Sequence, residues 1–148
     1  MNKIFLLVII TLFLPKAKAQ EDLSTTCINI ENTQQIFKCS KLDYSRVDRE
    51  LNETYKNLIE EIKKEYKPSV DIGDSLIKKL RTSQRFWINL RDADCELKTF
   101  EIEEGTLAHE TETNKCKTDL TKKRISLLLE LRPKKITNIK TNHINFSY

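Results

Sequence analysis

Apolar side chains recur along this chain at intervals of three, four and seven residues, which is the spacing of one face of an α-helix. The first such series consists of Phe37, Tyr44, Val47, Leu51, Tyr55, Leu58, Ile62 and Tyr66. Proline cannot continue a helix and disfavours helical backbone at the residue before it, so Lys67-Pro68 should end this element. The pattern predicts a first helix from about Thr33 to Tyr66.

A second series repeats at three and four residues but includes polar members. It consists of Ile77, Leu80, Gln84, Trp87, Arg91 and Cys95. Asp71 or Asp74 is the expected N-cap of this helix, and Gly73 is expected to loosen its entry. The helix should end near the acidic stretch before Gly105.

A third series ends at Arg132-Pro133. It consists of Cys116, Leu120, Ile125, Leu127, Leu128 and Leu131. Two glycines and three prolines in 148 residues are too few for the many turns between strands of an all-β chain. Because short connections between long helices make neighbours antiparallel, the sequence predicts an all-α fold, an antiparallel three-helix bundle or hairpin array.

The N-terminus has the pattern of an export signal. Lys3 precedes an apolar run from Ile4 to Leu14, interrupted only by Thr11, and small residues follow at Ala17 and Ala19. The run is shorter than the roughly 20 residues that cross a bilayer. Residues 1–19 are therefore expected to be a cleaved signal peptide, leaving a periplasmic or secreted protein with no stable membrane insertion.

Charge divides the rest of the chain into a body and a tail. Loss of residues 1–19 removes three lysines and no acid, which lowers the net charge from +4 to +1. Residues 132–148 carry four more basic residues and no acid, and are expected to form a flexible, asparagine-rich tail. The helical domain, residues 20–131, is then net acidic, with no evident basic patch, so no nucleic-acid partner is expected.

Four cysteines in an exported chain indicate two disulfides, for which three connectivities are possible. Reflecting the sequence about the turn between the second and third helices places Cys95 opposite Cys116, and this pairing leaves Cys39 for Cys27. The spacings lack the close cysteine pairs of a zinc site. No metal and no cofactor is expected.

The second helix carries Gln84, Trp87, Arg91 and Cys95 on one face. Buried polar groups need partners, and reflection about the first turn supplies candidates. The expected pairs are Asp48 with Arg91, Asn52 with Trp87, Tyr55 with Gln84, and Arg124 with Trp87 and Asp92. These residues are interpreted first as a polar core layer that fixes helix register, and alternatively as a pocket that contacts a ligand or protein.

Three segments carry a family resemblance: VDRELNETYKNL from Val47, SQRFWINLRDADC from Ser83, and CKTDLTKKR from Cys116. In this order and spacing they resemble the LprI-type lysozyme inhibitor family of small exported bacterial proteins. The matching positions are Asp48, Leu51, Asn52, Tyr55, Gln84, Arg85, Trp87, Arg91, Asp92, Cys95, Cys116, Thr121 and Arg124.

The resemblance spans roughly Cys27 to Leu131 and implies an all-helical, disulfide-linked secreted or periplasmic protein. Inhibition of lysozyme is attributed to a few members of the family. Two features depart from it: this chain lacks the lipid-attachment site of some members, and its basic tail is not part of the pattern.

Two functions follow as hypotheses. The first is an inhibitor that docks on the cleft of a cationic lysozyme or another muramidase through the acidic connection EIEEGTLAHETET, residues 101–113. Its candidate contact residues are Glu103, Glu104, His109, Glu110 and Glu112, although a solvated turn is the simpler interpretation. The second is a binding or structural module of the cell envelope that does not inhibit lysozyme.

An enzymatic function is not expected. His109 and His143 are isolated in the sequence, the cysteines are assigned to bridges, and no serine lies in a nucleophile-elbow motif. Paired carboxylates such as Glu60-Glu61 are adjacent in sequence, so on a helix they diverge by about 100°.

Overall fold

The computed structural model describes residues 27–133. Three helices make up this part of the chain: α1 (Thr33–Glu65), α2 (Val70–Lys98) and α3 (Leu107–Glu130). The predicted all-α fold is confirmed. None of these helices is both long enough and apolar enough to cross a membrane.

Two predictions fall on other parts of the chain. The expected signal peptide, residues 1–19, lies outside the described residues, as does the expected tail from position 134 onward.

Helix α1 begins at the predicted Thr33 and ends one residue before the predicted Tyr66. Asn32 is the N-cap, and its side chain accepts a hydrogen bond from the Gln35 backbone N–H at 2.9 Å. At the other end, Tyr66 is the C-cap, two residues before Pro68. The buried face of α1 consists of Ser40, Val47, Leu51, Thr54, Leu58 and Ile62.

Helix α2 begins earlier than predicted. Its N-cap is Ser69, whose backbone carbonyl already accepts hydrogen bonds from the N–H groups of Ile72 and Gly73. The prediction of Asp71 or Asp74 as N-cap is therefore wrong. Asp71 instead lies in the first turn, where a carboxylate interacts favourably with the helix dipole.

Gly73 is buried inside α2 because the chain packs closely against it. A Cβ atom at this position would lie 2.9 Å from the Cβ of Tyr66. The glycine thus allows the α1–α2 turn to close rather than loosening the start of α2.

Gly73→Ala is expected to lower the free energy of unfolding by about 1 kcal/mol. Overpacking of this kind destabilises the folded state by about 1–3 kcal/mol, and the better helix propensity of alanine offsets about 1 kcal/mol of that loss. Urea denaturation measures the change. In a Tyr66→Gly background, which removes the opposing Cβ, the same substitution should become stabilising, and an unchanged penalty there would contradict the steric explanation.

Helix α3 also begins earlier than predicted. Gly105 has a φ of 80°, and the next residue, Thr106, caps the helix by accepting a hydrogen bond from the His109 N–H at 3.2 Å. The prediction that residues 101–113 form one connection is therefore wrong, because positions 107–113 are helical.

The core lies where the three helices meet. It consists of Val47, Leu51, Leu58, Ile62, Ile77, Leu80, Ile125 and Leu128. Two residues that the third series predicts to be buried, Leu127 and Leu131, are instead 44% and 53% exposed. Leu127 adjoins the core residue Leu128, and Leu131 is the C-cap that follows α3.

The bonds that join the helices follow the order expected of antiparallel neighbours. Disulfides link Cys95 to Cys116 and Cys27 to Cys39, and no cysteine is free among residues 27–133. Along α2 the partners in α3 run backwards, since Gln84 bonds Arg124 whereas Arg91, later in α2, bonds Thr121, earlier in α3. The predicted antiparallel bundle requires this order.

Candidate functional site

Trp87 is the centre of a polar layer that joins the three helices. The guanidinium carbons of Arg91 and Arg124 lie 5.2 and 5.6 Å from the centroid of its ring, which is within cation–π range. The ring is half-buried and packs against the hydrophobic core. The predicted position of the indole, inside the core, is therefore only partly correct.

Arg91 is 6% exposed and has two carboxylate partners. Its Nη2 lies 2.8 Å from Asp92 Oδ1, and its Nη1 lies 3.7 Å from Asp48 Oδ1. Nη1 also donates a hydrogen bond to the Thr121 hydroxyl at 3.4 Å. This single guanidinium therefore connects α2 to both other helices.

Tyr44 extends the layer on the α1 side. The Arg91 guanidinium carbon lies 5.6 Å from the centroid of the Tyr44 ring. Burial raises the pKa of the Tyr44 phenol, and the positive charge of Arg91 opposes this effect only in part. The phenol is therefore neutral at physiological pH.

Arg124 is as buried as Arg91 but has no carboxylate partner among residues 27–133. Its Nε donates a hydrogen bond to Gln84 Oε1 and its Nη2 donates one to Ser83 Oγ, both at 3.0 Å. Burial lowers the pKa of Arg124. The neutral dipoles of Gln84 and Ser83 and the indole ring thus stabilise the charge of Arg124, as carboxylates stabilise that of Arg91.

The predicted pairing of Arg124 with Asp92 is wrong. Asp92 lies against Arg91 and, at 3.4 Å, against Lys117. The partner that the sequence reasoning missed is Ser83, which adjoins Gln84 in sequence.

Two further predicted pairs do not form. Asn52 is exposed rather than beside the indole, and its amide donates to the backbone carbonyl of Asp48 at 2.9 Å. Tyr55 does not bond Gln84, whose oxygen is occupied by Arg124. These residues instead share the lining of an open cavity of about 530 Å³, which consists of Asn52, Tyr55, Arg81, Gln84, Arg85 and Ile88.

A second candidate site lies where α2 connects to α3. A cavity of about 690 Å³ is lined there by Glu96, Thr99, Phe100, Glu101, Ile102, Glu103, Glu104, His109, Thr113 and Lys117. Its four glutamates, Glu96, Glu101, Glu103 and Glu104, are all exposed, and we call them the acidic end.

His109 is held at the floor of this cavity. Its Nε2 lies 3.3 Å from the hydroxyl of Thr99, which is itself 1% exposed and donates to the Cys95 carbonyl at 2.9 Å. Of the residues predicted to contact a partner, Glu103, Glu104 and His109 line the cavity. Glu110 and Glu112 do not, and Glu112 pairs with Lys115 at 2.8 Å.

Neither site has the ligands of a metal centre. Within residues 27–133, no group of three or more histidine, cysteine, aspartate or glutamate side chains is arranged to hold a metal ion.

Comparison with known proteins assigns the family. The family model described as lysozyme inhibitor LprI matches residues 24–128, a span that includes α1, α2 and all but the last two residues of α3. The chain belongs to the LprI family. Both the polar layer and the acidic end therefore lie inside the span that the family model matches.

Two relatives support the assignment. An uncharacterized protein of Rhizobium meliloti (strain 1021) is 34% identical to this LprI-family chain over 96 residues, which cover 63% of this chain and 68% of the relative. The crystal structure of a DUF1311-family protein from Pseudomonas putida KT2440 is similar with a TM-score of 0.63 and 27% identity. That match covers 72% of this chain and 99% of the other.

Proposed function

We propose that this LprI-family protein inhibits a lysozyme or a related muramidase outside the cytoplasm, and that the acidic end makes the contact. The observation that carries the proposal is the concentration of four glutamates around one cavity in a chain of this family. The two disulfides are typical of a protein that acts in an oxidising compartment.

Charge supports the choice of surface. Only one lysine, Lys117, lines the cavity with the four glutamates, and it lies 3.4 Å from Asp92. A surface of one sign attracts a partner of the opposite sign and accelerates association. A cationic muramidase is such a partner.

Hydrogen-bond donors in the same cavity suit the chemistry of the enzyme. Glycoside hydrolases of this type act through two carboxyl groups, so an inhibitor must bring donors to the cleft while its acids contact the basic rim. His109 and Lys117 are the candidate donors. Thr113 also lines the cavity, but its hydroxyl oxygen is buried and is not counted among them.

Replacing three glutamates of the acidic end tests the proposal. The purified protein is expected to slow lysis of bacterial cell walls by a cationic lysozyme, and Glu101→Gln/Glu103→Gln/Glu104→Gln should weaken this inhibition by about tenfold or more at low salt. Added salt should weaken the unmodified protein in the same direction because it screens exposed charges.

A matched control removes the same charge elsewhere. Glu53→Gln/Glu65→Gln/Glu130→Gln changes three exposed glutamates on other parts of the bundle, and should inhibit as the unmodified protein does. Equal inhibition by both triple variants would reject the acidic end as the contact surface. Absence of inhibition by the unmodified protein, in large molar excess over several lysozyme types, would reject the function itself.

A further inference from the structure

A stripe of exposed apolar side chains runs along α2 and into the turn that follows it. It consists of Ile72, Leu76, Phe86, Leu90, Leu97 and Phe100, which are between 37% and 84% exposed. We call it the α2 stripe. Lys79, Ser83 and Ala93, also exposed, complete an unbroken alternation of four-residue and three-residue steps.

This alternation averages 3.5 residues, the repeat with which one helix packs along another in a coiled coil. The buried residues Gly73, Ile77, Leu80, Gln84 and Arg91 each follow a stripe position by one residue. Helix α2 is therefore apolar on two adjacent faces. One face packs against α1 and α3, and the other is largely exposed, although its Ser83 hydroxyl accepts a hydrogen bond from Arg124 on α3.

The exposed area is large enough for a stable contact. An aromatic side chain buries roughly 150–250 Å² when fully covered and an aliphatic one somewhat less, so six side chains that are 37–84% exposed offer on the order of 800 Å². The largest apolar patch of a typical monomer is about 300–600 Å². A standard interface buries about 800 Å² on each partner.

Charge along α2 indicates which partner fits. Positions 75–85 contain four basic residues and no acid: Lys78, Lys79, Arg81 and Arg85. Positions 92–104 contain a single lysine and six acids: Asp92, Asp94, Glu96, Glu101, Glu103 and Glu104. We call positions 75–85 the basic half of α2, although Asp71 and Asp74 precede it in the first turns of the helix. A basic segment followed along the helix by an acidic one is complementary to a reversed copy of itself.

We propose that two copies of this protein form a homodimer by pairing their α2 stripes in antiparallel orientation about a two-fold axis near Ile88. In this register Phe86 packs on Leu90 of the partner subunit, and Leu76 packs on Phe100 of the partner subunit. The small residues Ser83 and Ala93 face each other across the axis, which lets the helices approach closely.

The same register brings opposite charges together. Lys79 falls opposite Leu97 of the partner subunit, within one helical turn of Asp94 and Glu96 on that chain. A parallel pair would instead place basic half against basic half. A polar residue inside an apolar seam is a known device for selecting one register, and Lys79 occupies that position here.

Molecular mass in solution tests the dimer. Sedimentation equilibrium of the purified protein at micromolar concentration should give twice the monomer mass. Phe86→Glu/Leu90→Glu should raise the dissociation constant by about 100-fold or more, because it places four unpaired carboxylates in the seam. Both side chains are exposed in the single chain, so the variant should keep its helical circular dichroism.

The control carries the same chemical change on another helix. Leu127→Glu/Leu129→Glu replaces two exposed leucines of α3 and should remain a dimer. Dimer mass retained by Phe86→Glu/Leu90→Glu would overturn the proposal, as would a monomer for the unmodified protein at about 100 μM. A monomer that dimerises only after removal of residues 134–148 would assign the stripe to the chain's own C-terminal segment and overturn the proposal as well.

Charge reversal tests the orientation. Lys78→Glu/Lys79→Glu should weaken the dimer, and adding Asp94→Lys/Glu96→Lys to the same chain should restore it, because the two ends have then exchanged sign. A dimer that responds to neither change would contradict the antiparallel register. The proposal rests on α2 and on the turn that follows it, which includes Phe100 of the acidic-end cavity. Its tests measure mass in solution, which does not depend on whether the protein inhibits lysozyme.

Discussion

Trp87→Ala is expected to lower the free energy of unfolding by about 3 kcal/mol. Deletion of a large aromatic side chain from a core costs about 3–5 kcal/mol, and the half-buried position of Trp87 places it at the low end of this range. The ring also contacts two buried guanidinium groups, which would lose their cation–π partner. Trp87 is the only tryptophan, so urea denaturation should be followed by circular dichroism rather than fluorescence.

Two comparisons make the Trp87 result specific. Trp87→Phe retains an aromatic face for both arginines and should lose only about 1 kcal/mol. Leu129→Ala, at an exposed position on α3, should change stability by less than about 0.5 kcal/mol. If Trp87→Ala kept full stability but abolished partner binding, the polar layer would be a binding pocket rather than a structural element.

Loss of the Cys95–Cys116 disulfide should be equally damaging. Cys95→Ala/Cys116→Ala is expected to lower the free energy of unfolding by about 3 kcal/mol. The bridge joins residues that are 21 positions apart, and its loss increases the conformational entropy of the unfolded chain. Both sulfur atoms are buried, so the alanines also leave space in the core. Thermal and urea denaturation of the double variant measure the effect.

The second bridge is the natural reference for this experiment. The cysteines of the Cys27–Cys39 bridge are 12 residues apart, against 21 for Cys95–Cys116. Loop-closure entropy depends only weakly on length, so its removal should cost about 0.5 kcal/mol less. A double variant of Cys95 and Cys116 as stable as the unmodified protein would show that this bridge constrains nothing that folding needs.

Helix boundaries were predictable where proline or a complete apolar series marks them. Pro68 and Pro133 follow the ends of α1 and α3, as expected. The start of α3 was missed because its first turns contain polar residues, although Thr106 after Gly105 is a recognisable N-cap signal. Thr111, buried in this part of α3, carries no apolar signal of its own.

Long-range pairs were predictable only to about one helical turn. Reflection about a turn correctly brings Asp48 near Arg91, and the predicted stacking of Arg124 on Trp87 forms, yet reflection pairs Tyr55 with Gln84 when the hydrogen bond to Gln84 comes from Arg124. One turn is about 3.6 residues, so small differences in turn geometry select another partner. The prediction for Asn52 fails in direction around the helix axis. Asn52 follows the buried Leu51, and consecutive helical residues point about 100° apart, so its side chain is exposed.

The α2 stripe was present in the sequence but hidden by a stronger pattern. Lys79, Ser83 and Ala93 interrupt it, and the adjacent series with Trp87 already accounts for one face of the helix. Only the exposed fractions show that α2 has two apolar faces and that one of them is unused.

Both disulfides lie towards the end of the bundle at which α2 connects to α3. Cys39 adjoins Ser40, whose hydroxyl accepts a hydrogen bond from Asn114 on α3, close to Cys116. The opposite end, at Lys67 and Pro68, has no covalent cross-link within residues 27–133. Amide hydrogen exchange should therefore be faster in the helix ends near Pro68 than in those beside the two disulfides, so a partner that docks at the cavity of His109 would meet a preformed surface and lose little conformational entropy.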